Sequence, residues 1–229
     1  MVPRERVMHY IESFNDLERL GRVRLSKHFQ MRQFLHSEIA AYFRLPNIPI
    51  DPGLAIENGR RLCETILEPI METFGPIIVR SGYRSPSLNE FGAKRRLKCA
   101  RNEKNAAYHV WDLLDDQGHR GAAACITVPW LVDHGPWAET SSQMAWWVHD
   151  HLPYHRLTFF TSPGTLNIGF HEKPIREIFT YLRPKRWLVR ESWLDGYGYY
   201  SHEYAGFPVI ARNQPRQAAV SAPRCTTQS

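Results

Sequence analysis

The sequence predicts an α+β fold, with a mainly antiparallel sheet and helices packed on one side of it. Helical periodicity dominates the first third, where apolar residues recur at four-residue steps from Leu62 to Phe74. β-branched and aromatic runs follow, and they lie close together along the chain, which favours antiparallel neighbours. Strands are expected near residues 77–80, 122–129, 156–161, 166–171 and 176–181.

Three helices are expected before the first strand. Residues 1–20 place Met8, Ile11 and Phe14 on one side of a helix, and residues 29–44 form a second. A third begins at Asp51 and Pro52, a good N-cap and first-turn pair, and runs to Phe74. Pro69 should kink this helix or interrupt it locally.

The chain reads as one main domain with short extensions. Residues 1–24 form a helical extension, residues 25–210 the domain, and residues 211–229 a polar tail without periodicity that is expected to be disordered. Within the domain, RLTFFT and LNIGFH are joined by SPG, which predicts a hairpin. No apolar run approaches the ~20 residues that a membrane span needs.

The net charge is +6, which favours polyanionic partners, among them the anionic polymers of a bacterial cell wall. Much of the excess lies in residues 93–104 and 184–190. Aromatic residues do not alternate with these basic residues as on a nucleic-acid platform, so the sequence disfavours nucleic acid as a partner. The beginning of the chain has no signal-peptide core, which predicts a cytoplasmic protein or one released without a signal, as phage enzymes are.

The most specific motif is SGYRSPSLN, which begins at Ser81 after a predicted strand. It resembles the corresponding segment of the D-Ala-D-Ala zinc metallopeptidases, bacterial relatives of the hedgehog fold. Arginine recognises carboxylates bidentately, and the resemblance implies that Arg84, with Ser81 and Tyr83, binds a peptide substrate. Gly82 would allow the turn that directs Arg84 into the cleft. The substrate class implied is the peptide of peptidoglycan, or another peptide.

The resemblance also implies a zinc ion held by His, Asp and a second His. His109 matches the first ligand and His171 the last. The Asp position has two alignments: one places Cys125 there, after an inserted loop, and the other keeps the spacing of seven residues and selects Asp116. A thiolate is a legitimate zinc ligand, but a buried free thiol is an equally good account of Cys125.

No acidic residue lies on the strands that lead to His171, where the family has its general base. Glu172 and Asp112 are the two candidates, and the sequence does not choose between them. Two hypotheses follow. One is a zinc D-Ala-D-Ala carboxypeptidase or peptidoglycan endopeptidase with altered ligands, and the other is a non-catalytic binding or structural protein on the same fold.

Overall fold

A computed structural model describes residues 11–190 and 199–210. Its centre is a six-stranded sheet in the order β1-β2-β4-β3-β5-β6. All neighbours in this sheet are antiparallel except β3 and β5, which are parallel. The strands are β1 (Ile78–Ser81), β2 (Gly121–Thr127), β3 (Arg156–Phe159), β4 (Thr165–His171), β5 (Glu177–Thr180) and β6 (Arg186–Val189).

The predicted α+β class and mostly antiparallel sheet are confirmed, as is the hairpin of β3 and β4. Each of the five expected strands is present with shifted ends. The sixth strand, β6, lies in the basic run that the sequence analysis treated only as charge. Arg186, Trp187 and Val189 within that run pair with β5, and β6 forms one edge of the sheet.

Helices precede and connect the strands: α1 (Phe14–Arg22), α2 (Met31–Leu35), α3 (Glu38–Phe43), α4 (Pro52–Leu62), α5 (Glu68–Phe74), α6 (Pro86–Lys94), α7 (Asn102–Asn105), α8 (Pro129–Asp133) and α9 (Trp137–His151). A 3₁₀ turn (Ser201–Tyr204) follows β6. In the described part of the chain, no helix is long and apolar enough to cross a membrane.

The long helix beginning at Pro52 shows the expected disturbance. Asp51 caps it by accepting a hydrogen bond from the backbone N–H of Leu54 at 2.9 Å. A π-helical turn (Cys63–Leu67) separates α4 from α5 and directly precedes Pro69. Proline has no N–H to donate to the carbonyl of residue 65, so the chain widens there and continues as α5.

Two helix predictions were wrong in extent. Residues 29–44 form α2 and α3 instead of one helix, because His36 is extended and Ser37 begins a new helix by accepting from the backbone N–H of Ala40. The segment SSQMAWWVHDHL also predicts a helix capped by Ser141, whereas the helix begins at Trp137. Residues 1–10 of the predicted N-terminal helix and the predicted tail at 211–229 lie outside the described residues.

The sheet has one apolar face and one polar face. Side chains alternate along β4, and Leu166 and Ile168 join the main core with residues of the helices. Their neighbours across the sheet, such as Ala124 and Leu157, point the same way. The opposite face carries the residues in which the sequence predicted chemistry.

Candidate functional site

A row of paired residues crosses the polar face from β1 to β3. Ser81 pairs with Cys125 at a bulge, Cys125 pairs with Asn167, and Asn167 pairs with Thr158. This register brings Ser81 and Cys125, which the sequence predicted as site residues, to the same level of the sheet as Asn167. We call the area around Cys125 and Asn167 on this face the central site.

Arg84 lies in the loop between β1 and α6, and contacts fix its backbone. Its N–H donates to the carbonyl of His109 at 2.8 Å. Its guanidinium is half-buried and donates to Asn89 Oδ1 at 3.4 Å and to Cys99 Sγ at 3.3 Å. Within the described residues it pairs with no carboxylate. A positive charge therefore stands at the central site without a counterion.

Gly82 allows this loop to form, but by a different route from the one expected. Its backbone is not in the left-handed region. Instead, a Cβ on Gly82 would lie 2.7 Å from Phe34 Cδ1, so glycine lets β1 end directly against α2. The backbone N–H of Tyr83 then donates to the carbonyl of Phe34 at 3.0 Å.

Tyr83 and Asp112 form a buried contact. The Tyr83 side chain is fully buried, and its hydroxyl donates to Asp112 Oδ2 at 2.9 Å. The same oxygen accepts from the backbone N–H of Ile50 at 2.7 Å. Burial raises the pKa of Asp112 and also raises that of Tyr83. Asp112 thus joins the segment after α7 to the loop before α4, through Ile50, and to the loop before α6, through Tyr83.

His109 is buried beside the central site in a neutral state. Its Nδ1 lies 2.9 Å from the carbonyl oxygen of Gly82, which can only accept, so Nδ1 carries the proton. Burial and, to a lesser extent, the Arg84 guanidinium lower the pKa of His109 to about 3. The hydrogen bond with the Gly82 carbonyl opposes the shift.

Cys125 is a protonated thiol at neutral pH. Burial raises the pKa of the Cys125 thiol, although Arg80 and Arg84 oppose the shift. A zinc-binding or nucleophilic cysteine needs the thiolate. The cationic surroundings are therefore insufficient to ionise Cys125 on their own.

Asn167 is the residue that the sequence analysis missed. It faces Cys125 across the strands, and its Nδ2 donates to the Tyr108 hydroxyl at 2.8 Å. Its Oδ1 is buried and has no hydrogen-bond partner among the described residues. The signal that could have found it is the alternation along β4: a buried polar residue interrupts an otherwise apolar strand at the level of Cys125.

His171 lies at the end of β4, four residues beyond Asn167, and pairs with Gly121. At about 3.3 Å per residue, this places it about 13 Å along the strands from Cys125. Its Nε2 lies 3.2 Å from Asp115 Oδ2, and its ring stacks on His155 with centroids 4.4 Å apart. His171 thus contacts Asp115 and His155 instead of the residues of the central site.

Asp115, His155 and His171 line a cavity of about 590 Å³ at the end of the polar face. Asp115 holds His119 as well, with Oδ2 at 3.3 Å from His119 Nδ1. The predicted candidate Asp116 is the exposed neighbour of Asp115 in this loop. Glu172, one of the two general-base candidates, accepts from the backbone N–H of Arg120 at 2.8 Å.

The implied zinc ion does not fit the residues as they stand. Over residues 11–190 and 199–210, no three His, Cys, Asp or Glu side chains are arranged to hold a metal ion. His171 lies four residues along β4 from the level of Cys125, where its Nε2 is next to Asp115 Oδ2, so it is not placed to share an ion with Cys125. Zinc at this site stays a prediction.

Comparison with known proteins identifies no relative. No family model matches the chain, and no curated protein or solved structure matches it. The resemblance to the D-Ala-D-Ala metallopeptidases therefore rests on the SGYRSPSLN segment and the order of the predicted elements.

Proposed function

We propose that this chain is a non-catalytic binding protein that holds a peptide by its free C-terminal carboxylate on the polar face of the sheet. The observation that carries the proposal is the half-buried Arg84 guanidinium, which has no carboxylate partner in the described residues. A guanidinium held by its loop is suited to bidentate recognition of a carboxylate. The resemblance adds the class of ligand, bacterial cell-wall peptide, and a hedgehog/D-Ala-D-Ala metallopeptidase-like version of the α+β fold.

The state of the neighbouring groups supports binding over hydrolysis. Hydrolysis needs a base that takes a proton from water near the scissile bond. His109 keeps its Nδ1 proton on Gly82, and its pKa is lowered to about 3. Asp112 Oδ2 accepts from Tyr83 and from the backbone N–H of Ile50, and Glu172 accepts from the backbone N–H of Arg120. Asp112 Oδ1 has no partner among the described residues, but it is buried away from solvent.

The test is isothermal titration calorimetry with an N-acyl-D-Ala-D-Ala dipeptide and with the same dipeptide as its C-terminal amide. The acid should bind and the amide should bind at least about tenfold more weakly, because hydrogen bonds to charged groups contribute about 1.5–3 kcal/mol. Arg84→Lys should weaken binding of the acid similarly, since lysine lacks the planar fork. Arg61→Lys, an exposed arginine of α4, is the matched control.

Equal affinity for the acid and the amide would overturn the proposal, as would an Arg84→Lys protein that binds like wild type. The zinc-peptidase hypothesis has a separate readout. Metal analysis of the purified protein, followed by an assay for D-Ala release, should find neither stoichiometric zinc nor turnover. Stoichiometric zinc that is lost in His109→Ala, together with release of D-Ala, would establish the peptidase instead.

A further inference from the structure

Four aromatic rings lie together on the polar face near the β6 edge of the sheet, whereas Arg84 follows β1 at the other edge. Phe179 of β5 pairs with Trp187 of β6, and both point away from the core residue Ile178. We call Phe160, Phe179, Tyr181 and Trp187 the aromatic patch. The Phe160 and Tyr181 rings are nearly parallel with centroids 5.9 Å apart, and Phe179 lies 5.0 Å from Tyr181 and 5.1 Å from Trp187.

The patch is open to solvent at its centre, since 42% of Tyr181 is exposed. Cations surround it. Lys185 Nζ lies 5.6 Å from the centroid of the Tyr181 ring, and the Arg190 guanidinium lies 4.9 Å from that of Trp187. Exposed Arg183 precedes Lys185 by two residues in the sequence.

None of these cations is neutralised by a carboxylate in the part of the chain that the structure describes. Ion pairs there engage other basic residues, such as Arg156 with Glu177 and Lys94 with Glu90. The result is a sheet surface with contiguous rings at its centre and uncompensated positive charge around them. The amino-acid sequence hides this arrangement, because three of the four rings come from outside the basic run of β6.

We propose that the aromatic patch binds single-stranded nucleic acid. Unpaired bases stack on aromatic rings with little regard to sequence, and the phosphates follow the adjacent Lys and Arg side chains. The net charge of +6 adds long-range attraction for such a polyanion. A neutral glycan could use the rings but would make no use of Lys185 and Arg190, which pair with no carboxylate among the described residues, so the observations favour the nucleic acid.

The experiment measures fluorescence anisotropy of a labelled 12-nucleotide oligo(dT) with the full chain over a range of salt concentrations. Tyr181→Ala should weaken binding roughly 5- to 150-fold, the range for the loss of one base stack, whereas Tyr181→Phe should retain it. Tyr42→Ala removes a more exposed ring, 82% accessible, on α3 and should leave affinity unchanged. Unfolding midpoints of all variants establish that each is folded.

Charge is tested by Lys185→Glu/Arg190→Glu, which changes the two cations that contact the patch, against Arg96→Glu/Lys98→Glu, which changes the charge equally in the other basic run. The first pair should flatten the dependence of log K on log salt by about 1.4, because each phosphate contact of a single strand contributes about 0.7. The proposal is overturned by absence of binding at about 50 mM salt, or by equal effects of the two pairs. It is also overturned if a neutral chitooligosaccharide binds and the oligonucleotide does not. Binding of a DNA duplex as tightly as the single strand, with an affinity that Tyr181→Ala does not change, would overturn it as well.

Discussion

Ile168 and Asn167 are adjacent on β4 and both are buried, but they face opposite sides of the sheet. Ile168 packs between Ala124 and Leu157 and needs only apolar volume around it. Asn167 needs hydrogen-bond partners, finds one in Tyr108, and leaves Oδ1 without any. The apolar face is therefore determined by residue type and alternation, whereas the polar face depends on which individual side chains meet.

The largest effect that this comparison predicts is on the apolar side. Ile168→Ala should lower the free energy of unfolding by about 2–5 kcal/mol, because it leaves a cavity in a fully buried site. Thr158→Ala, at the same level of the sheet on the polar face, should cost less than about 1 kcal/mol. Urea unfolding of both variants measures the difference. Equal losses would show that the two faces do not differ as described.

A second prediction concerns Gly82, which directly follows β1 at one edge of the sheet. Gly82→Ala should destabilise the protein by about 1–3 kcal/mol, because the new Cβ would meet Phe34 Cδ1 at 2.7 Å and Phe34 Cα at 3.2 Å. Gly206→Ala is the control, since a Cβ there meets nothing within 4 Å. Urea midpoints that are unchanged in Gly82→Ala would mean that β1 does not pack against α2 as closely as the contact indicates.

The difference between the faces explains what could be predicted from the sequence. Alternation and β-branched runs located the strands of the core, and the Asp51–Pro52 pair located the start of α4. β6 was missed because charge masks its short apolar segment. On the polar face, strand register decides which side chains contact one another, and register cannot be predicted from single residues. His171 and Asn167 are four residues apart on one strand, and only the pairing with β2 places Asn167 opposite Cys125.

The smallest predicted effect tests a polar group buried on the helical side. His149 of α9 is almost fully buried, with Nδ1 2.9 Å from the Tyr154 hydroxyl. Burial and, to a lesser extent, Arg176 lower its pKa to about 4, although Asp150 opposes the shift. The unfolded chain, with an ordinary histidine pKa near 6.5, therefore binds more protons than the folded protein between about pH 6.5 and pH 4. Stability contributed by neutral His149 is present above that window and is lost as the pH falls through it.

His109 and His155, whose pKa values are lowered to about 3, act in the same direction on the polar face. Each such histidine steepens the fall in the free energy of unfolding by up to about 1.4 kcal/mol per pH unit. His149→Gln should remove one such contribution, so urea unfolding between pH 6 and pH 4.5 should give a slope about 1 kcal/mol per pH unit shallower than that of the wild type. His202→Gln removes an exposed histidine and should keep the wild-type slope. If His149→Gln also keeps it, His149 is accessible to protons in the folded protein, and the helical side is less well sealed than the packing of α9 indicates.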